Sequence, residues 1–348
     1  MQVLVLADDL TGAADCAAAF LGRARDVRVS LQPRVPTGGG VAVIDLDTRS
    51  RPERAARKIA RRAFASRGAR QARILYKKID STLKGHIAAE LAAARGALGK
   101  RAVIFTPAFP AQRRVVREAR LYVDGQPASG DLRALLSKAG LPATHVARPT
   151  AAGLREAIAI GARAFACDAE TDADLDRIAR AGLALRPRPL FVGSAGLARA
   201  LSRTLSRRKM AGSRPAARRP VVTVVGSASP VSGNQVQRLD RVRDHGLVLA
   251  IEWKHEPTRK DLPKLRMLGR MAARLPPVHF VLTGGETARA VLGARGIREY
   301  TLLGEVEPGV PFGMARDGTL ICTKAGAFGQ PDTLAKCVAR LKREMKKS

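Results

Sequence analysis

A single junction recurs along this chain and limits the folds open to it. A short apolar run stops at a cluster of glycine, aspartate, serine or threonine, and helix-forming sequence follows at once. Val278 to Leu292, VHFVLTGGETARAVL, is the clearest instance. Val278, Phe280, Val281 and Leu282 read as a buried strand, Thr283-Gly284-Gly285 as the turn, and Glu286-Thr287 onward as a helix start. That order leaves backbone N–H groups and the positive end of the helix dipole free to meet a phosphate. Adjacent glycines let the backbone approach a ligand closely, though the same pair can simply tighten a βα loop.

The junction returns in both halves of the chain. Val3 to Ala7 is a strand, followed by Asp8-Asp9-Leu10-Thr11-Gly12 and an alanine-rich helix to about Leu21. Two neighbouring carboxylates at a strand end can help hold Mg²⁺ or take a proton from a substrate hydroxyl, whereas helix capping requires only one. Val41 to Leu46 ends in Asp47-Thr48-Arg49-Ser50, and Ile74 to Ile79 in Asp80-Ser81-Thr82-Leu83-Lys84-Gly85. There Lys78, Asp80, Ser81 and Thr82 meet a helix beginning near His86, so an anion would find ammonium, hydroxyls and helix N–H groups together. Ala102 to Phe105 leads into an irregular loop with Pro107 and Pro110, and Tyr122 to Gly125 reads as a turn. Leu190 to Val192 runs into Gly193-Ser194-Ala195-Gly196 and a helix, which resembles a degenerate phosphate loop but reads better as a tight turn.

Arg203 to Pro220 loses hydrophobic periodicity and gathers Arg, Ser, Gly and Pro, a linker composition. The pattern then restarts at Val221 to Val225, which ends in Gly226-Ser227-Ala228-Ser229-Pro230. Leu320 to Cys322 meets Thr323 to Gly329, and an amphipathic basic helix follows from Thr333. The expectation is an α/β protein of two domains, each a mainly parallel sheet flanked by helices, with the active site in the cleft between them. The boundaries are 1–205 for a substrate domain, 206–219 for a basic linker and 220–348 for a nucleotide domain. Polar clusters fall just after strands, where parallel sheets bind ligands. The first half collects carboxylates, Arg49 and Lys78, suiting an anionic, hydroxylated substrate; the second collects glycines and small hydroxyls, suiting phosphates.

The charge of +32 favours anionic ligands. Much of it lies in Arg51 to Arg73 and Arg199 to Arg219, where aromatic residues are almost absent, which argues against base stacking and against a nucleic-acid partner. Four scattered cysteines read as reduced thiols of a cytoplasmic protein. Asp8, Asp9 and Asp15 without a basic n-region exclude a signal peptide, and no uninterrupted apolar run reaches membrane-spanning length. GxxxxGK[ST], GxGxxG after a strand, HxxxH and GxSxG are all absent, leaving Walker nucleotide binding, dinucleotide redox chemistry, zinc hydrolysis and serine hydrolysis without support.

Six segments in order resemble the four-carbon acid sugar kinases: ADDLTGA at Ala7 to Ala13, KIDSTLKG at Lys78 to Gly85, PAFPAQ at Pro107 to Gln112, GSASP at Gly226 to Pro230, LTGGETA at Leu282 to Ala288 and TKAGAFG at Thr323 to Gly329. The resemblance implies an ATP- and Mg²⁺-dependent kinase of a threonate, erythronate or 3-oxo-tetronate, with small molecules as its ligands and a homodimer left open. It implies that Asp8, Asp9, Arg49, Lys78, Asp80, Ser81 and Thr82 line the acid-sugar site. Arg49 and Lys78 would clamp the sugar carboxylate, and one of Asp8 and Asp9 would accept the hydroxyl proton. It implies that Ser227, Ser229, the turn Thr283-Gly284-Gly285-Glu286-Thr287, Gly326 and Gly329 hold ATP. Lys84 and His86 stand where the family leads us to expect arginine and asparagine, and Arg113 where it leads us to expect glycine.

Overall fold

The computed structural model describes residues 2–34, 40–210, 216–253 and 259–346. The N-terminal half runs β1 (Val3–Ala7), α1 (Leu10–Ala18), β2 (Val27–Ser30), β3 (Val41–Asp45), α2 (Glu53–Phe64), α3 (Arg67–Gln71), β4 (Ile74–Lys78), α4 (Ile87–Leu98) and β5 (Val103–Thr106). It continues with β6 (Arg114–Arg117), β7 (Arg120–Val123), β8 (Gln126–Asp131), α5 (Leu132–Lys138), β9 (Ala143–Val146), α6 (Ala151–Ala159), β10 (Ala164–Cys167), α7 (Asp172–Leu183), β11 (Leu190–Gly193) and α8 (Ala195–Arg203). The C-terminal half runs β12 (Val221–Val225), α9 (Pro230–Leu239), β13 (Leu247–Ala250), α10 (Leu262–Arg274), β14 (His279–Thr283), α11 (Gly285–Ala294), β15 (Glu299–Glu305), β16 (Pro311–Ala315), β17 (Leu320–Lys324) and α12 (Thr333–Met345). Of the expected linker 206–219, residues 211–215 lie outside the described residues.

Strands β1, β3, β4, β5, β12, β14 and β17 are buried along their whole length. Continuous apolar runs, rather than alternation, are what a parallel sheet covered on both faces requires. The helices supply that cover. In α2, for example, Ala56, Ala60, Ala63 and Phe64 form the buried stripe while arginines face water.

One feature of the architecture departs from two separate sheets. Among the described residues fourteen strands form one continuous sheet, in the order β13-β12-β14-β17-β16-β15-β2-β3-β1-β4-β11-β5-β10-β9. The eight strands from β2 to β9 are parallel, as are β13, β12, β14 and β17. The antiparallel pair β15–β2 joins these blocks, with Tyr300 opposite Val29. Short β2 carries little signal of its own in the sequence; pairing on both of its sides is what makes it a strand. Tyr122 and Val123 likewise belong to β7 rather than to a turn, because β6 and β8 pair with it in a three-stranded antiparallel sheet. Only Asp124-Gly125 turn, both with positive φ.

Helix α1 packs on β1 and β3 and also reaches β15, β16, β17 and α11. It therefore ties the two parallel blocks together beside the loops that follow β1 and β14.

Candidate active site

The first turn of α1 organises the site. Asp9 is the N-cap, with extended backbone, and its carboxylate accepts hydrogen bonds from Gly12 N at 3.1 Å and Thr11 Oγ1 at 2.6 Å. Asp8 lies beneath, 2% exposed. Its carbonyl oxygen accepts from the N–H groups of Thr48 and Arg49, which fastens the loop after β3 to the end of β1. Arg49 then closes a fork on the Asp8 carboxylate, Nε to Oδ2 at 2.8 Å and Nη2 to Oδ1 at 3.1 Å. The same guanidinium reaches Asp9 Oδ1 at 3.0 Å and Asp80 Oδ2 at 3.5 Å. One arginine thus gathers carboxylates from the loops after β1 and β4.

Burial pushes the Asp8 carboxyl upward, but Arg49, Lys77 and Lys78 outweigh it and hold the group below the usual carboxylate range. Asp80 is lowered in the same way, burial being overcome by Arg49 and the Thr82 hydroxyl. Both are anions at neutral pH. Behind them Lys77 Nζ lies 3.2 Å from Glu90 Oε2, both side chains fully buried, and Glu90 Oε1 accepts from Thr48 Oγ1 at 2.5 Å. Lys78 Nζ donates to Ile79 O at 2.9 Å and lines the cavity.

The second half meets this cluster through α11. Strand β14 ends at Thr283, Gly284 turns the chain with φ +95°, and α11 starts at Gly285. A Cβ on Gly285 would stand only 3.3 Å from Thr11 Oγ1 and 3.4 Å from Asp9 Oδ2. The N-termini of α1 and α11 therefore converge, that of α1 capped by Asp9 and that of α11 without a side-chain cap, so the open positive end is that of α11. One turn along α11, Arg289 pairs with Asp45, lies 3.0 Å from Asp47 Oδ2 through Nε, and donates to Leu31 O at 3.1 Å. Burial pushes the wholly enclosed Asp45 carboxyl up to about 7 in spite of Arg289. Burial also raises Glu286.

The loop after β17 completes the enclosure. Lys324 Nζ donates to Ala325 O at 3.0 Å, Gly326 O at 3.1 Å and Ser232 Oγ at 3.3 Å, and burial pulls its ammonium down to about 8. Gly326 lies so close on Ser227 that any Cβ there would overlap the serine hydroxyl.

Together these loops line a cavity of about 420 Å³, within the range of small-molecule sites. Of the residues expected from the sequence, Asp9, Arg49, Lys78, Asp80, Ser81, Thr82, Gly285, Glu286 and Gly326 line it. The others stand behind it. Asp8 anchors Arg49; Ser227 underlies Gly326 and accepts from Ser229 N at 3.2 Å. Thr283 is buried at the end of β14, and Thr287 is buried against Gly226 and Gly284. Gly329, with φ +92°, turns the chain over Thr333.

The cavity also takes in Asp45, Asp47, Arg114, Ser194, Arg289 and Lys324, to which no site role was assigned from sequence. Arg289 had a usable signal, since it lies four residues after Gly285 and so one turn into the same helix. Arg114 had none: only the β6–β7 hairpin carries it there. Arg113, where glycine was expected, has φ 58° and forms the left-handed turn that glycine favours. Lys84 lines the cavity, whereas the His86 ring turns to the carbonyl of Arg51 at 2.7 Å. No described helix is long and apolar enough to cross a membrane.

Residues 3–201 match a sugar-binding N-terminal domain family and residues 265–334 a nucleotide-binding C-terminal domain family. The chain is 36% identical to a D-threonate kinase of Cupriavidus necator, with 96% of each chain covered. It is 31% identical to a D-threonate kinase of Bordetella bronchiseptica, with 97% of each covered. A 3-oxo-tetronate kinase of Cupriavidus necator is 27% identical over 97% of this chain and 96% of its own. Among solved structures, one from Salmonella typhimurium LT2 superimposes with a TM-score of 0.80 at 22% identity, covering 97% of this chain and 98% of that one. Another, a domain-swapped dimer from Bordetella bronchiseptica with bound citrate, is 29% identical over 97% of both chains with a TM-score of 0.51. The protein is a phosphotransferase. It belongs to the four-carbon acid sugar kinase family.

Proposed function

We propose that the protein transfers the γ-phosphoryl group of ATP to a hydroxyl of a four-carbon sugar acid such as a threonate, an erythronate or a 3-oxo-tetronate. The convergence of the α1 and α11 N-termini on one cavity carries this reading, because it sets the carboxylate of Asp9 beside the uncapped start of α11 and the cations Lys78, Lys84 and Arg114, the parts that an attacking hydroxyl and an anionic group need. Phosphoryl transfer depends on positioning and charge neutralisation more than on covalent help. Residues 1–205 would hold the sugar acid and 220–348 the nucleotide.

The roles follow from exposure. Asp8 is shut behind Arg49, so Asp9, which faces the cavity, is the carboxylate that accepts the proton of the attacking hydroxyl. Arg49 is engaged by three carboxylates and orients Asp9 and Asp80. Lys78, Lys84 and Arg114 face the cavity as the cations that receive the sugar carboxylate and the transferred phosphoryl group. Among the described residues no group of three or more metal-ligating side chains occurs. Two carboxylates, Asp9 and Asp80, nonetheless suit Mg²⁺, which takes one or two carboxylates together with substrate phosphates. There it would neutralise charge on the phosphate chain.

The test is ADP formation over a panel of D-threonate, D-erythronate, 3-oxo-tetronates and longer or simpler hydroxy acids, with Mg²⁺ and with Asp9→Asn alongside. Turnover on a tetronate is expected, with kcat lowered by roughly 10²- to 10⁴-fold in Asp9→Asn and ligand binding retained. A wild-type kcat in that variant would remove Asp9 from the chemistry. Turnover only outside the tetronates would move the substrate to another small hydroxy acid.

A further inference from the structure

The end of the N-terminal block opposite the cavity has a charge pattern that the kinase reading does not use. Strands β4, β11, β5 and β10 are consecutive in the sheet and parallel, so their N-termini share one edge. Leu75, Leu190 and Val103 are in register across the first three. Two residues before each stand Arg73, Arg188 and Arg101, and Arg163 immediately precedes β10. Neighbouring strands are about 4.8 Å apart, so the row advances one cation per strand over roughly 15 Å. Helices end on the same side with Arg61 and Arg62, Arg70, Arg95 and Arg180 in their last turns.

Cations at helix C-termini are locally stabilising, which accounts for those five residues. It accounts in part for Arg101 and Arg163, which bond carbonyls in the last turns of α3 and α6, but not for Arg73 and Arg188 in the same row. The guanidinium groups there are held by main-chain carbonyls: Arg188 Nη1 on Arg73 O at 3.1 Å, Arg101 Nη2 on Arg70 O at 3.4 Å, and Arg163 Nη1 on Ile158 O and Ala162 O at 2.9 and 2.8 Å. Carbonyls fix direction without cancelling charge. Among the described residues no carboxylate pairs with any of the four, whereas Asp8, Asp9, Asp45, Asp47 and Asp80 cluster with their arginines at the cavity end. Arg188 is depressed below the ordinary arginine value by partial burial and by repulsion from Arg186 and Arg73, as expected of crowded cations lacking a counterion.

We propose that this edge is a docking surface for a phosphodiester chain, the backbone of a nucleic acid. A row of guanidinium groups spaced by strands, three of them held by carbonyls and none paired with a carboxylate, suits successive phosphates. No aromatic side chain stands in the row, so recognition is of the backbone and independent of base sequence, a narrower mode than the base stacking that the composition disfavours. An anionic membrane would need apolar area as well as charge, and among the described residues the one large apolar side chain fully open near this edge is Ile160.

The experiment is anisotropy of a labelled 20-nucleotide single strand against the full-length protein from about 50 to 200 mM salt. Four phosphate contacts on a single strand give a slope near −3 in log K against log salt, a loss of roughly fiftyfold across that range. In Arg73→Gln/Arg101→Gln/Arg163→Gln/Arg188→Gln the slope is expected to flatten by about 3 and binding at low salt to fall at least tenfold. A control with the same charge removed from exposed Arg238, Arg241, Arg243 and Arg270 should stay within about threefold of wild type. Because three of the edge arginines also hold carbonyls, Arg73→Gln/Lys100→Gln, the latter at the exposed neighbour of Arg101, serves as a second variant and should show a proportionate loss. Equal loss in edge and control variants would reduce the effect to net charge and overturn the proposal. So would edge-dependent binding to vesicles of 30% phosphatidylserine in preference to the oligonucleotide.

Discussion

Arg289→Ala offers a test in which the structure sets both sign and size. Arg289 comes from α11 and is the counterion of Asp45, a carboxylate with no solvent exposure at the end of β3. Burial already raises Asp45 to about 7 with the arginine present, and without it the value moves higher still. A carboxyl raised in the folded state stabilises the fold through its bound proton. That contribution is complete below the unfolded value near 4 and is lost as pH rises to the folded value. In the wild type the loss ends near pH 7, where Asp45 ionises beside Arg289. In the variant it continues upward at about 1.4 kcal/mol per pH unit. At pH 5.5 Asp45 is protonated in both proteins, so the variant lacks only the bonds to Asp47 and Leu31, about 1–2 kcal/mol. By pH 8.5 the gap should have grown by about 2 kcal/mol. With an unfolding entropy of about 2 cal/mol/K per residue over 348 residues, that widening is roughly 3 °C in Tm. Differential scanning calorimetry of both proteins at the two pH values measures it. A Tm gap that stays constant across the range would refute the picture of Asp45 as a buried carboxyl kept ionised only by Arg289.

Two further outcomes are expected. Lys77→Met alone should cost about 3–5 kcal/mol in chemical denaturation because it strands the Glu90 carboxylate in a dry interior, and Lys77→Met/Glu90→Leu should recover most of that loss; single and double variants of equal stability would show that the pair is not isolated from water. Gly326→Ala should weaken nucleotide binding at least tenfold by calorimetric titration while leaving the sugar acid unaffected, since the new methyl overlaps Ser227 Oγ. Ser227→Ala in the same chain should restore part of it, and unchanged nucleotide affinity in Gly326→Ala would remove that loop from the site.

Much of the site was legible in the sequence for a local reason. A strand of a parallel sheet is an unbroken apolar run, and the loop after it must carry whatever chemistry the fold performs. Asp9, Arg49, Asp80 and Gly326 are on such loops, Lys78 ends the strand before one and Gly285 opens the helix after one, and all line the cavity. The helix starts were legible too, because Asp9 caps α1 by its own side chain and Gly284 supplies the left-handed turn before α11.

What the sequence could not settle depends on neighbours distant along the chain. Two adjacent aspartates look equivalent until Arg49, forty residues on, closes its fork on Asp8 and leaves Asp9 facing the cavity. The spacing from Gly285 could place Arg289 on the site face of its helix, but not name its partners Asp45 and Asp47, which meet it from the other half. Strand β2 is only four residues long, yet its pairing with β15 turns two expected sheets into one. Local chain stiffness and hydrophobic runs determined which segments become strand, loop and helix. Partner choice among buried charges, and pairing at a strand edge, are energies of contact between segments, and only the tertiary structure decides them.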